Sequence, residues 1–237
     1  MESGNFAAAS SGVDGFGLRA CGRLGHRSRG TRARGAGMKR AFDILASALG
    51  LLLTAPVMAV LGVWVVLDSR GGIFYRQTRV GRHGRTFRML KLRSMDPRRA
   101  PAEQREITIG EEDPRITRPG RFIRRTKLDE LPQLWNVLTG DMSIVGPRPE
   151  VPRYVDMYTP AQREVLKVRP GLTDPASIEA FDEPALLAAA IDPERCYVED
   201  IMPRKIEAQL AYARQANFRT DIGVILNTLG RIVKGDR

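Results

Sequence analysis

Histidine and cysteine are scarce in this chain: 237 residues hold His26 and His83, Cys21 and Cys196, and no more of either. His26 falls in an N-terminal stretch of glycine, serine, alanine and arginine, which leaves His83 alone. A Ser/His/Asp triad and a histidine-based zinc site are therefore nearly excluded. Chemistry has to rest on carboxylates, lysine, arginine and hydroxyls. Cys21 lies in the same stretch, so a structural disulfide is not expected and a reducing compartment fits. Residues 1–37 have almost no large apolar side chains. Such a segment cannot bury enough surface to offset its ordering entropy and is expected to be disordered. It also lacks the apolar core of a signal peptide. Its composition would suit a transit peptide, but the preferred reading places the start of the folded protein near Met38.

Acidic residues are few where basic ones are many. The net charge is +11. Residues 1–37 contribute +4, residues 38–99 contribute +9, and residues 100–237 contribute −2. The partner of this excess belongs to the N-terminal half, and both an anionic membrane surface and nucleic acid qualify.

One long apolar run is present. Ile44–Leu67 is 24 residues without a charge, and about 20 suffice to cross a bilayer. Cations flank both ends: Lys39 and Arg40 before, and Arg70, Arg76, Arg79, Arg82, Arg85 and Arg88 after. Positive flanks favour the cytoplasmic side, so a simple span would push one of them across. Pro56 sits in mid-run, where it removes a helical hydrogen bond and bends the chain. The hydroxyl of Thr54 is near enough to serve a freed carbonyl. A bent helix that enters and leaves by one face and a single span both remain open at this point.

A hairpin is expected in "GIFYRQTRVGRHGRTFRMLKLRSM", turning at Gly81 and Gly84. With a period of two, Phe87, Met89, Lys91 and Arg93 share a face. Lys91 and Arg93 then either bind phosphate or belong to a basic edge strand resting on lipid headgroups. Downstream, "KLDELPQLWN" sets Asp129 beside Glu130 within a basic stretch. Thr126 three residues before Asp129 suggests a helix cap, while Pro132 points to a distorted or later start. Adjacent helical residues diverge, so the pair does not suit a glycosidase arrangement. Two separate tasks fit better: one carboxylate attacks phosphorus and the other holds Mg²⁺, which typically bridges protein acids and substrate phosphates. In "GDMSIVGPRPE", Pro147 and Pro149 bracket Arg148 and restrict its backbone.

The stretches "KRAFDILASALGLLLTAPVMAV", "FRMLKLRSM", "RRTKLDELPQLWNVLTGDMSIVGPRPE" and "RPGLTDPASI" occur in the order seen in bacterial sugar transferases. Over roughly residues 38–235 the chain resembles the small monotopic polyprenyl-phosphate phosphoglycosyl transferases. The resemblance implies transfer of a sugar phosphate from a nucleotide diphosphate sugar, with uridine expected, to polyprenyl phosphate. It implies Asp129 as nucleophile, Glu130 as the residue tied to Mg²⁺, and Arg124 and Arg148 as phosphate-binding residues. It also implies a re-entrant helix broken at a Ser-Pro pair, here Ala55-Pro56. The expected fold is α+β and mainly helical. A basic tail covers 1–37, a re-entrant membrane helix 38–70 and a cytosolic catalytic domain 71–237. The expected location is the cytoplasmic face of the inner membrane, in contact with lipid, with no nucleic acid and with a homo-oligomer compatible. The rival expectation is a non-catalytic basic membrane-anchored scaffold or nucleic-acid-binding protein.

Thr159-Pro160 is expected to start a short helix and "RPGLTDPASI" to form a loop. Residues 178–200 read as helix in pieces, with a further helix from Pro203 to about Asn217. Ile222, Ile225, Leu226, Leu229 and Ile232 form a helical stripe suited to core packing or to an in-plane membrane contact.

Overall fold

The structure is a computed structural model that describes residues 28–99, 113–174, 176 and 183–234. The N-terminal helix α1 spans Ser28–Asp68. It begins within the stretch expected to be disordered, because arginine and alanine favour helix there despite the interspersed glycines. The remainder of that stretch, residues 1–27, lies outside the described residues.

α1 is unbroken at Pro56, so the helix break expected at that residue is not present. The hydroxyl of Thr54 donates to the Gly50 carbonyl at 2.7 Å. It serves the turn below rather than the carbonyl that proline frees, and such back-bonding bends a helix without ending it.

The hairpin forms as read. Strands β1 (Phe74–Val80) and β2 (Thr86–Leu92) pair antiparallel from Phe74↔Leu92 to Val80↔Thr86. Helix α2 (Arg118–Arg125) is capped by Thr117, whose hydroxyl accepts from the Gly120 amide. Thr126 is not the cap of a new helix. It closes α2, its hydroxyl donating back to Phe122 and Ile123. A 3-10 turn over Leu128–Glu130 follows, and helix α3 starts only after Pro132, over Gln133–Thr139.

Residues 143–145 form β3, which pairs parallel with β4 (Gly171–Thr173) where a loop was expected. Glycine makes this pairing possible. A Cβ on Gly171 would lie 2.0 Å from the Gly146 nitrogen. Between them runs α4 (Pro152–Asp156), then a 3-10 turn over Gln162–Lys167. At its start Thr159 and Gln162 bond each other's amides as a reciprocal cap.

The C-terminal part has α5 (Glu183–Ala189), α6 (Pro193–Cys196), a π turn over Tyr197–Ile201, α7 (Met202–Gln215) and α8 (Phe218–Lys234). Residues 178–182 of the expected helical pieces lie outside the described residues. Along α8, Ile222 and Ile225 are half-buried and Leu226 is exposed, so the stripe is covered only in part.

Both flanks of the apolar stretch of α1 dock on this body. At its start Lys39 donates to the Val145 carbonyl and pairs with buried Asp221 of α8. Arg40 donates to the final carbonyls of α3, Val137 and Leu138. Asp43 accepts from the Ser143 hydroxyl and the Ile144 amide. At its end Leu61 and Val65 pack with Leu92 of β2 and Ile123 of α2. Between these anchors Leu49, Leu52, Leu53, Val57 and Val60 are exposed.

Asn136 joins α3 to the hairpin. Its carbonyl oxygen accepts from the Leu90 amide at 3.0 Å and its amide donates to the Arg88 carbonyl at 2.9 Å. Asn136→Ala should therefore lower stability by about 1–3 kcal/mol, the cost of orphaning buried backbone groups. Thermal unfolding of the variant measures it, and an unchanged midpoint would show that solvent replaces both bonds.

Candidate active site

The acid pair is presented by a chain reversal. α2 ends at Arg125, and Lys127 takes a left-handed conformation with φ of 59°. The tight turn that follows packs Leu128 against the apolar cluster of Leu61, Val65, Leu92 and Ile123. Asp129 and Glu130 come next. Asp129 is buried, and both face Lys91 of β2. The Lys91 ammonium lies 3.0 Å from Glu130 Oε1 and 3.5 Å from Asp129 Oδ2. Arg148 completes the cluster, forking onto both oxygens of Glu130.

The two acids differ because their partners differ. Burial alone would raise the pKa of Glu130, but Arg148 and Lys91 outweigh it and hold this carboxyl below its usual range. For Asp129 burial wins. Its pKa is raised, with Lys91, Arg124 and Arg148 opposing the rise and the Glu130 charge adding to it. Burial likewise lowers the Lys91 pKa, although Glu130 resists, while Glu130 holds Arg148 protonated more firmly than a free guanidinium. Glu130 is thus a fixed anion bound by two cations. Asp129 is the less compensated carboxylate, with one ammonium at hydrogen-bonding range's edge.

The surroundings of Arg148 explain its placement. On one side the Pro147 carbonyl accepts from the Gly171 amide at 2.9 Å, tying it to β4. On the other, Arg79 of β1 donates to the Pro149 carbonyl and pairs with Glu150. The Tyr197 hydroxyl donates to the other oxygen of Glu150. The side chain of Arg148 remains 37% exposed, so it can meet a ligand while bonded to Glu130. Arg124 is half-buried near Asp129, and its guanidinium makes no hydrogen bond or ion pair among the described residues.

The structure therefore brings Lys91, Arg124, Asp129, Glu130 and Arg148 together. Arg93 is the exception. It is buried at the end of α1 and bonded to main-chain carbonyls there, so the expectation that it binds substrate is corrected. Pro56 lies within α1, remote in sequence from the cluster. Two residues were not foreseen. Tyr75 pairs directly across from Lys91 and is half-exposed, and Arg79 secures the segment bearing Arg148. The alternation of β1 carries the signal for both, since Tyr75, Gln77 and Arg79 share the Lys91 face of the hairpin.

Among the described residues no group of three or more metal-ligating side chains occurs. The donor set is two carboxylates, one of them strongly ionised. That is insufficient for a protein-only cage but fits Mg²⁺ completed by substrate phosphates and water.

Removing the Glu130 charge should test the cluster. Its contribution to stability is fully present above pH 4.5, the ordinary value, and is lost as pH falls through its lower folded value. Glu130→Gln leaves Arg148 without its hydrogen-bonded carboxylate and Lys91 with Asp129 alone, and should cost roughly 2–4 kcal/mol at neutral pH, allowing for partial exposure. It should also flatten the acid side of the stability profile. Denaturant unfolding across pH measures both, and a parallel profile would deny the pairing.

The chain matches the family model described as bacterial sugar transferase over residues 34–235. It is 34% identical over 201 residues to the UDP-glucose:undecaprenyl-phosphate glucose-1-phosphate transferase of Caulobacter vibrioides, covering 84% of this chain and 70% of that one. It is 37% identical over 195 residues to the protein of the same name in Escherichia coli, covering 81% of this chain and 39% of the relative. It is 35% identical over 205 residues to the UDP-N-acetylgalactosamine-undecaprenyl-phosphate N-acetylgalactosaminephosphotransferase of Aeromonas hydrophila, covering 84% of this chain and 44% of the relative.

Proposed function

We propose, for a chain that belongs to the bacterial sugar transferase family, that it transfers a sugar 1-phosphate from a UDP-sugar to polyprenyl phosphate. The products are polyprenyl diphosphate-sugar and UMP. The observation that carries the reading is a buried, incompletely compensated carboxylate, Asp129, set among Lys91, Arg124 and Arg148. Relatives carry glucose and N-acetylgalactosamine in their names, so the sugar is left open.

In this reading an Asp129 oxygen forms a bond to the phosphorus that bears the sugar. The bridging oxygen leaves with its electron pair as UMP. A phosphate oxygen of the polyprenyl phosphate then attacks the same phosphorus and releases Asp129. A covalent aspartyl intermediate of this kind splits one transfer between two anions into two displacements. Lys91 favours the anionic form of Asp129. Arg124 and the open edge of Arg148 meet phosphate oxygens, where a guanidinium fork suits the geometry. Glu130 would hold Mg²⁺, which when bound would supply further charge neutralisation on the substrate phosphates.

In the same reading residues 38–70, helical as far as Asp68, bend at Pro56 without a break so as to enter and leave by the cytoplasmic face of the inner membrane, and 71–237 are the catalytic unit. Support comes from the docking of both flanks of the apolar stretch of α1 on one body and the exposed apolar side chains between them. Trp64 packs against Phe122, both part-exposed, and Trp135 is exposed on α3. Aromatic side chains of this kind favour the membrane–water interface.

Purified protein in bilayer discs, given a panel of UDP-sugars without acceptor, should release UMP in a burst of at most one equivalent. Asp129→Asn should show no burst, and chelation of divalent cations should abolish it in the parent. Full turnover by the Asn variant would end the covalent reading, and activity persisting in chelator would end the metal assignment.

A further inference from the structure

Arg93 is a buried guanidinium with no carboxylate partner among the described residues. Desolvating a cation without an anion is costly, so what it bonds is informative. Its Nε donates to Gly72 O at 2.7 Å. Its Nη1 donates to Ser69 Oγ at 2.7 Å and Arg70 O at 3.3 Å. Its Nη2 donates to Ser69 O at 2.8 Å and Val65 O at 3.4 Å. These five acceptors are the end of α1 and the turn that leaves it. The carbonyls of Ser69, Arg70 and Gly72 lie in the turn just past the last helical residue, where chain groups lack helical donors, and Arg93 supplies donors to them; Val65 O, the one helical acceptor, also accepts from the Ser69 amide at 3.3 Å.

The turn is shaped around this side chain. Gly71 has φ of 135°, and a Cβ there would lie 3.2 Å from Arg93 Cζ. Glycine is thus required twice, for its conformation and for the flat approach of the guanidinium. The Arg93 amide also donates to the Ile73 carbonyl at 2.8 Å, continuing the β1–β2 ladder by one bond. Lys91 lies two residues back on the same strand, a distance of roughly 7 Å along it.

We propose that Arg93 is a positioning residue whose bonds to the Val65–Gly72 segment fix the height of the Lys91–Asp129–Glu130 cluster above the bilayer for the lipid-borne acceptor. This rests on the function proposed above. The two substrates feel height differently. A nucleotide sugar diffuses in three dimensions and reaches the site wherever it stands. The phosphate of a polyprenyl chain is confined to the surface of the bilayer, so the site must come to it. Loosening the joint should impair the second displacement while sparing the first.

The test uses Arg93→Lys and Ser69→Ala in the full chain in bilayer discs. Lysine keeps the charge but not the fork, and Ser69→Ala removes one acceptor without touching Arg93. UMP release without acceptor should stay within about twofold of the parent, whereas transfer to bilayer-embedded polyprenyl phosphate should fall about tenfold or more in Arg93→Lys, as misplacement does. The loss should appear as a raised KM for that acceptor and should be smaller in Ser69→Ala. A short-chain, water-soluble prenyl phosphate should be used equally by all three proteins. Hydrogen exchange at amides 69–73 should quicken in both variants. Equal loss in both half-reactions and with the soluble acceptor would mean general disruption and would overturn the proposal, as would unaltered transfer. A parent that gives no UMP burst sinks the covalent reading alone, and the two acceptors' KM values in steady turnover, with exchange at 69–73, then decide the role of Arg93.

Discussion

Lys39, Arg40 and Asp43 fasten one flank of the apolar stretch of α1 to β3, α3 and α8, while Leu61, Val65 and the Arg93 bonds fasten the other to α2 and β2. A helix tethered at both ends to one body constrains everything built on that body. α3 is held by Arg40 at its last turn and by Asn136 to the hairpin. The hairpin carries Lys91, and the turn before α3 carries Asp129 and Glu130. The acid cluster is thereby tied to both ends of the apolar segment through a few bonds.

The electrostatics of the cluster follow from the same packing. Two adjacent carboxylates in water would titrate alike. Here Arg148 reaches only Glu130 with hydrogen bonds, and Lys91 sits nearer Glu130 than Asp129. Burial therefore acts on Asp129 with less opposition. The outcome is one carboxylate locked by two cations and one less compensated, a difference that suits the separate roles proposed for the two acids. It depends on Arg148 being held by its neighbours, Pro147 at β4 and Pro149 at Arg79.

What could be read in the sequence was what neighbours along the chain decide. The hairpin showed in alternation and turn glycines, the late start of α3 in Pro132, and the acid pair and Arg148 in short motifs. Bonds made over distance were not legible. Arg93 looked like a companion of Lys91 because alternation puts both on one face, but its acceptors are backbone carbonyls more than twenty residues earlier. Thr126 looked like a cap because its hydroxyl could bond forwards; it bonds backwards to the helix it ends. The β3–β4 pair escaped notice because each strand is three residues long and depends on the contact of Gly146 with Gly171. Pro56 was read as a break, yet one missing hydrogen bond does not end a helix whose two ends are anchored.

The proposed topology places both ends of the apolar stretch on the side of the membrane where the acid cluster stands. Single cysteines at two exposed sites, Ala41→Cys and Gly72→Cys, in a chain lacking Cys21 and Cys196, report this directly. Both sites should be protected from an impermeant thiol reagent in intact cells and labelled equally after lysis. Labelling of the Ala41 site alone in intact cells would mean that α1 crosses the bilayer, and would contradict it.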